Sequence, residues 1–166
     1  MSEKSIHEAC ADSAKLVAQH ETLARFAGNW RAEVKFWMNP AGPPHVSTGT
    51  MVNRLVLGGR FIEHDYRDDA GMFEGKGFWG YNSIDGRFEG VWIDSMATFL
   101  QIEHGQHDAE SDVFTNRGTM TDPSTRKPLN KRSVIRVKNP NEHVMEMYFE
   151  TPMGEFKCME ITYRRA

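Results

Sequence analysis

The chain has 166 residues, 20 Lys and Arg against 23 Asp and Glu, and a net charge of −3. That length fits one ordinary domain able to bury a core without staples, and that charge gives no general attraction for nucleic acid or anionic membrane. Two cysteines are too few for a disulfide framework; residues 1–8 lack a signal peptide's apolar core, and no run approaches the roughly 20 residues of a membrane span, so a cytoplasmic protein is expected.

Asp12 or Ser13 can cap a helix, after which Leu16, His20, Leu23 and Phe26 share one face at helical spacing. Gly28 stands where a left-handed C-cap belongs. Residues 1–27 are therefore predicted to form a helical segment, and its narrow apolar stripe suits a lid or plug. From Trp30 the period changes to two: Trp30, Ala32, Val34, Phe36 and Met38 alternate with Arg31, Glu33 and Lys35. The Pro-rich stretch 39–44 breaks this strand. Strand-like runs then recur at 47–57, 60–67, 73–81, 87–95, 98–104, 112–120, 132–138, 143–150 and 155–164, separated by turn residues such as Gly58-Gly59 and Asp85-Gly86. No connection is long enough for a crossover helix, which leaves antiparallel pairing. About ten such strands hide their edges by closing, so residues 28–165 are predicted to form an up-and-down β-barrel, with the whole of 1–166 as one domain.

Charges mark the wet face of two strands. Glu74 and Lys76 point outward, which turns Phe73, Gly75, Gly77, Trp79 and Tyr81 inward; the next strand turns Phe88, Gly90, Trp92 and Asp94 inward. Glycine beside large rings on an inner face suggests a hollow walled by aromatics. Phe114, Asn116, Gly118 and Met120 form a third inner set, and Met145, Met147 and Phe149 a fourth. Ile62, His64 and Tyr66 share a face opposite Phe61, Glu63 and Asp65, and a one-residue slip would reverse them. Ten methionines suit an adaptable apolar wall or plain core filling.

Gly28-Asn29-Trp30 resembles the Gly-x-Trp signature of the lipocalin-like, or calycin, superfamily. Gly58-Gly59-Arg60-Phe61, Phe73-Glu74-Gly75 through Gly80-Tyr81-Asn82, Trp92-Ile93-Asp94-Ser95-Met96 and Glu160-Ile161-Thr162-Tyr163 follow in order. That pattern resembles a family of small bacterial domains of unknown function placed among the calycins. The resemblance implies a lipocalin-like barrel with an interior pocket, no established activity, and a basic residue of the last strand, Arg164 or Arg165, over the Trp30 indole.

Asp94 is the most informative polar position. Facing inward, it is either a ligand-orienting acceptor or base, or a structural group paired with Arg60 or capping the turn at Ser95-Met96-Ala97. Within Glu63-His64-Asp65 only His64 or the two carboxylates can enter the pocket, so His64 is either a proton-transfer group or a hydrogen-bonded core histidine. His104-Gly105-Gln106-His107-Asp108 reads as a solvated turn and no metal site. Gly75-Lys76-Gly77-Phe78-Trp79-Gly80 matches a dinucleotide-loop pattern but lies within a strand with no helix after it. Cys158 has no histidine in its strand to activate it.

These readings converge on a binding module without a cofactor. A small hydrophobic ligand is expected between Trp79, Tyr81, Trp92, Phe114, Met120, Met145 and Met147, oriented by Asp94, Asn116 and His64. The alternatives are an isomerase- or cyclase-like enzyme on a hydrophobic molecule, a haem or nitric-oxide barrel using His64, and a scaffold that self-associates as a homo-oligomer through Trp37 and the 39–44 loop.

Overall fold

The computed structural model describes residues 5–166; residues 1–4, half of the N-terminal stretch read above, lie outside the described residues. The helical segment is divided into α1 (Ile6–Ser13) and α2 (Ala18–Ala24). Ser5 opens α1 with a reciprocal capping box to Glu8. At α2 the Val17 amide donates to His20 Nδ1 at 3.0 Å, so the N-cap is Val17, five residues beyond Asp12. No helix among the described residues is long and apolar enough to cross a membrane.

Ten strands follow: β1 (Gly28–Phe36), β2 (His45–Val56), β3 (Phe61–Asp68), β4 (Glu74–Asn82), β5 (Arg87–Asp94), β6 (Gln101–Asp108), β7 (Val113–Thr121), β8 (Pro128–Asn139), β9 (Glu142–Thr151) and β10 (Gly154–Arg165). Each pairs antiparallel with the next, and β1 pairs with β10, so the sheet closes and leaves no edge. The meander follows from the hairpin-length connections. Two registers shift, one of them between Lys157 and Met159, where Cys158 is the extra residue and lies buried.

The sixth strand departs from expectation. It runs to Asp108, so His104 through Asp108 lie in β6 and the turn comes later. Adjacent strand residues face opposite sides, and His104 and His107 therefore diverge.

Both helices lie at one end. Leu23 and Phe26 enter the barrel there and pack with Ile62, Trp79, Phe88 and Phe114, all buried, to form a solid floor. Phe26 sits edge-on to Trp79 at 5.2 Å and to Phe114 at 5.6 Å. Arg165 closes the seam between β1 and β10. Its guanidinium lies 4.2 Å over the Trp30 ring and donates to the carbonyls of Ala27, Arg25 and Pro140. Gly28 is required here by its backbone, at φ 124°, a conformation that side chains rarely adopt.

Candidate functional site: the barrel lumen

Above the floor, inward side chains divide into a buried wall and an accessible one. Trp30, Ala32, Met51, Tyr66, Ile161 and Tyr163 are buried together on the β1–β3 and β10 side. Trp92 and Met145 pack against that cluster, and together with Asp94, Gln101, Glu103 and Met147 they keep part of their surface although they point into a closed barrel.

The glycines of β4 make room for rings rather than leaving space. A Cβ on Gly75 would lie 2.1 Å from Trp92 Cζ2, and one on Gly77 3.0 Å from Trp92 Cε3. The Trp92 indole lies flat over both positions. On β2, Gly49 accommodates the Tyr66 hydroxyl in the same way.

Asp94 does two of the jobs open to it. Its Oδ1 accepts from the Met96 amide at 2.9 Å, capping the turn, while Oδ2 accepts from Trp92 Nε1 at 3.0 Å and Gln101 Nε2 at 3.2 Å. Arg60 is not its partner: that side chain is at the helix end, donating to Ala14 and Leu57. The network continues. Gln101 Oε1 accepts from Lys131 Nζ at 2.9 Å, Lys131 pairs with Glu103 at 2.7 Å, and Ser133 Oγ donates to Glu103 at 2.9 Å. A buried ammonium is tolerable only with such partners.

His64 faces inward on the opposite wall, with Ile62 and Tyr66. The Phe26 carbonyl accepts from both Trp30 Nε1 and Asn53 Nδ2, each at 2.9 Å. This orients the Asn53 amide so that its Oδ1 faces His64 Nδ1 at 2.7 Å and must accept a proton from it. The imidazole is thereby held as the Nδ1–H tautomer, with a lone pair on Nε2. Nε2 has no hydrogen-bond partner among the described residues. Every fully buried side-chain nitrogen and oxygen among those residues has one, so Nε2, on the inward face of β3, keeps some accessible surface. Enclosure by the barrel pushes the His64 pKa down to about 4.

His143 stands nearby, stacked on Tyr163 at 4.7 Å and edge-on to Trp30 at 4.5 Å. Burial, together with the charges of His64 and Arg165, lowers its pKa to about 3. Its ring, the Asn116 amide and the Tyr66 and Tyr163 hydroxyls make no hydrogen bond among the described residues, yet all four side chains are at least 93% buried. These atoms too therefore keep some accessible surface.

Of the residues expected to bind ligand, His64, Trp92, Asp94, Asn116, Met120, Met145 and Met147 point into the barrel. Trp79 and Phe114 belong instead to the packed floor, 6% and 0% exposed, with Tyr81 at its margin against Phe88 at 5.0 Å. Gln101, Glu103, Lys131, Ser133 and His143 escape a reading based on hydrophobic alternation. In β6 the apolar Ile102 points outward, 51% exposed, while its polar neighbours point in. His143 carries a usable signal, since it shares parity with Met145 and Met147.

All nine methionines among the described residues follow one plan. Met51, Met120, Met145, Met147 and Met159 face inward, whereas Met38, Met72, Met96 and Met153 are 77–98% exposed in four of the five loops at the end away from the helices.

Outside the barrel, a groove of about 400 Å³ lies between α2 and the β6–β7 turn. Three of its polar groups, Arg25, His107 and Asp112, are spent on one another. Arg25 donates twice to Asp112, at 2.9 and 2.8 Å, and His107 Nε2 lies 2.9 Å from Asp112 Oδ1. These bonds, that of Arg25 first, hold the Asp112 carboxyl at about 2. His107 stacks on Phe114 at 4.1 Å. The cluster is a clasp fastening the helix to the floor. Among the described residues, no three His, Cys, Asp or Glu groups are placed to hold a metal ion.

The fold is a closed ten-stranded antiparallel barrel whose inward side chains are both polar and aromatic. By sequence, residues 15–165 match the family described as protein of unknown function, DUF1579, and the chain belongs to that family. No curated protein matches it. The crystal structure of Rv2717c from M. tuberculosis is similar in fold, with a TM-score of 0.64 at 15% identity, over 92% of this chain and 99% of that one. A DUF3598 protein of unknown function from Nostoc punctiforme is matched at a TM-score of 0.46 and 12% identity, over 87% of this chain and 49% of that one.

Proposed function

We propose that the barrel is a receptacle for a small, mostly apolar or aromatic molecule, a lipocalin-like binding module of the cytoplasm. The observation that carries this is the surface that Trp92, Met145 and Met147 keep although they point into a closed sheet. Arg165 over Trp30, after Gly28-Asn29, supports placing the chain among the calycins. Flexible thioethers make a wall that adapts to shape. Burying about 400 Å² of combined surface provides roughly 10 kcal/mol gross at about 25 cal/mol per Å², against association costs of about 4–15 kcal/mol. Micromolar affinity or weaker is the expectation. Tryptophan-quenching titration with naphthalene-sized probes tests it: saturable quenching abolished by Met147→Trp, which fills the lumen, supports the proposal, and quenching unchanged by that substitution contradicts it. Haem ligation is a second reading, favoured by the lone pair of His64 Nε2; a haem-reconstituted protein without a Soret band would dispose of it.

A further inference from the structure

The lumen's hydrogen-bonding atoms restrict what it can hold. His64 is anchored through Asn53 to the Phe26 carbonyl, and its Nε2 can only accept. The anchor does not depend on occupancy of the site, because Phe26 and Asn53 are fixed by the floor and by β2. Beside it over Gly77, Trp92 supplies a flat face, and elsewhere on the inner faces Asn116, Tyr66 and Tyr163 supply polar atoms without protein partners among the described residues. The opposite wall carries two carboxylates, Asp94 and Glu103, and one ammonium, Lys131, which is already engaged by Glu103 and Gln101. An incoming anion would meet a net negative wall and a lone pair. A neutral molecule with a hydroxyl or ring N–H would meet an acceptor that no protein donor has claimed.

We propose that the lumen selects neutral aromatic molecules bearing a hydroxyl or N–H donor, read by His64 Nε2, and discriminates against their carboxylate counterparts. This rests on the receptacle reading above and names the ligand class for the same space. The imidazole stays neutral at pH 7 because burial opposes its protonation, so the selection is constant across the neutral range. A site built to bond a hydroxyl rejects the analogue lacking it, because that analogue leaves a desolvated group unpaired.

The test is calorimetric titration of the protein at pH 7 with three probes of one size: 2-naphthol, 2-methoxynaphthalene and 2-naphthoate. The expected result is 2-naphthol at least tenfold tighter than 2-methoxynaphthalene, with 2-naphthoate weakest. In His64→Phe the naphthol and the methyl ether should fall within about twofold of each other. Should that variant not fold, ¹⁵N spectra of the wild type give the same answer: the Nε2 resonance of His64 shifts upfield with 2-naphthol and stays in place with 2-methoxynaphthalene. Equal affinity for naphthol and its methyl ether, or tightest binding of the naphthoate, overturns this inference and leaves the receptacle standing. Binding of none of the three overturns both.

Discussion

Replacing Gly75 by alanine should damage the barrel, whereas the same change at Gly90, on the neighbouring strand and the same inner face, should not. At Gly75 the new methyl would stand 2.1 Å from Trp92 Cζ2, against an ordinary contact of 3.4 Å or more, so the indole must retreat by about 1.3 Å. That movement lifts Nε1 off Asp94 Oδ2, now 3.0 Å away. Overpacking costs about 1–3 kcal/mol, and a hydrogen bond to a carboxylate is worth about 1.5–3 kcal/mol. Because one ring displacement causes both losses, we expect about 2–4 kcal/mol in total, or a Tm lower by roughly 5–15 °C. At Gly90 the nearest atom is Trp79 Cδ1 at 3.5 Å, an ordinary contact, and alanine should change stability by less than about 0.5 kcal/mol. Urea unfolding followed by tryptophan fluorescence and near-ultraviolet dichroism measures both. Equal stability of the two variants would refute the claim that Trp92 lies against β4.

Other outcomes follow from the same geometry. His64 and His143 have folded pKa values near 4 and 3, below the 6.5 of the free side chain. The unfolded chain therefore binds more protons as pH falls; stability should be flat above pH 6.5 and drop by about 1.4 kcal/mol per unit per histidine below it. Urea midpoints that stay constant from pH 7 to pH 5 would contradict this. Arg165→Ala should cost about 1–2 kcal/mol and red-shift Trp30 emission, since it uncovers the indole and releases three carbonyls; an unshifted spectrum would count against the seam. Of the two thiols, Cys10 is exposed, while burial pushes Cys158 up to about 11. A thiol reagent should title one equivalent in the native protein and a second only in denaturant, and rapid titration of both natively would place Cys158 wrongly.

The barrel was legible because ten strands each carried turn residues at their ends, and because charges at Glu74 and Lys76 stated unambiguously which face of β4 is wet. Parity then placed His64, Trp92, Asp94 and Asn116 correctly on the inner face. Two kinds of information were missing. Alternation fails where the inner face is polar, as in Gln101–Glu103 and Lys131–Ser133, because an ion pair satisfied between β6 and β8 on one inner wall has no hydrophobic contrast in the sequence. Depth along the barrel axis is also invisible to a period of two. Trp79 and Trp92 look equivalent in sequence, yet one is capped by Phe26 from the helical segment and the other is not. The tautomer of His64 depends on an amide 11 residues away and a carbonyl 27 residues beyond that, a relation only the folded chain expresses.

The most direct measurement is a crystal structure of the protein grown with 2-naphthol. The ring is expected in the lumen against Trp92 and Met145, with its hydroxyl at hydrogen-bonding distance, about 2.7 Å, from His64 Nε2. Naphthol density confined to the outer groove at Arg25 and Asp112, with the interior filled by protein side chains, would contradict the account.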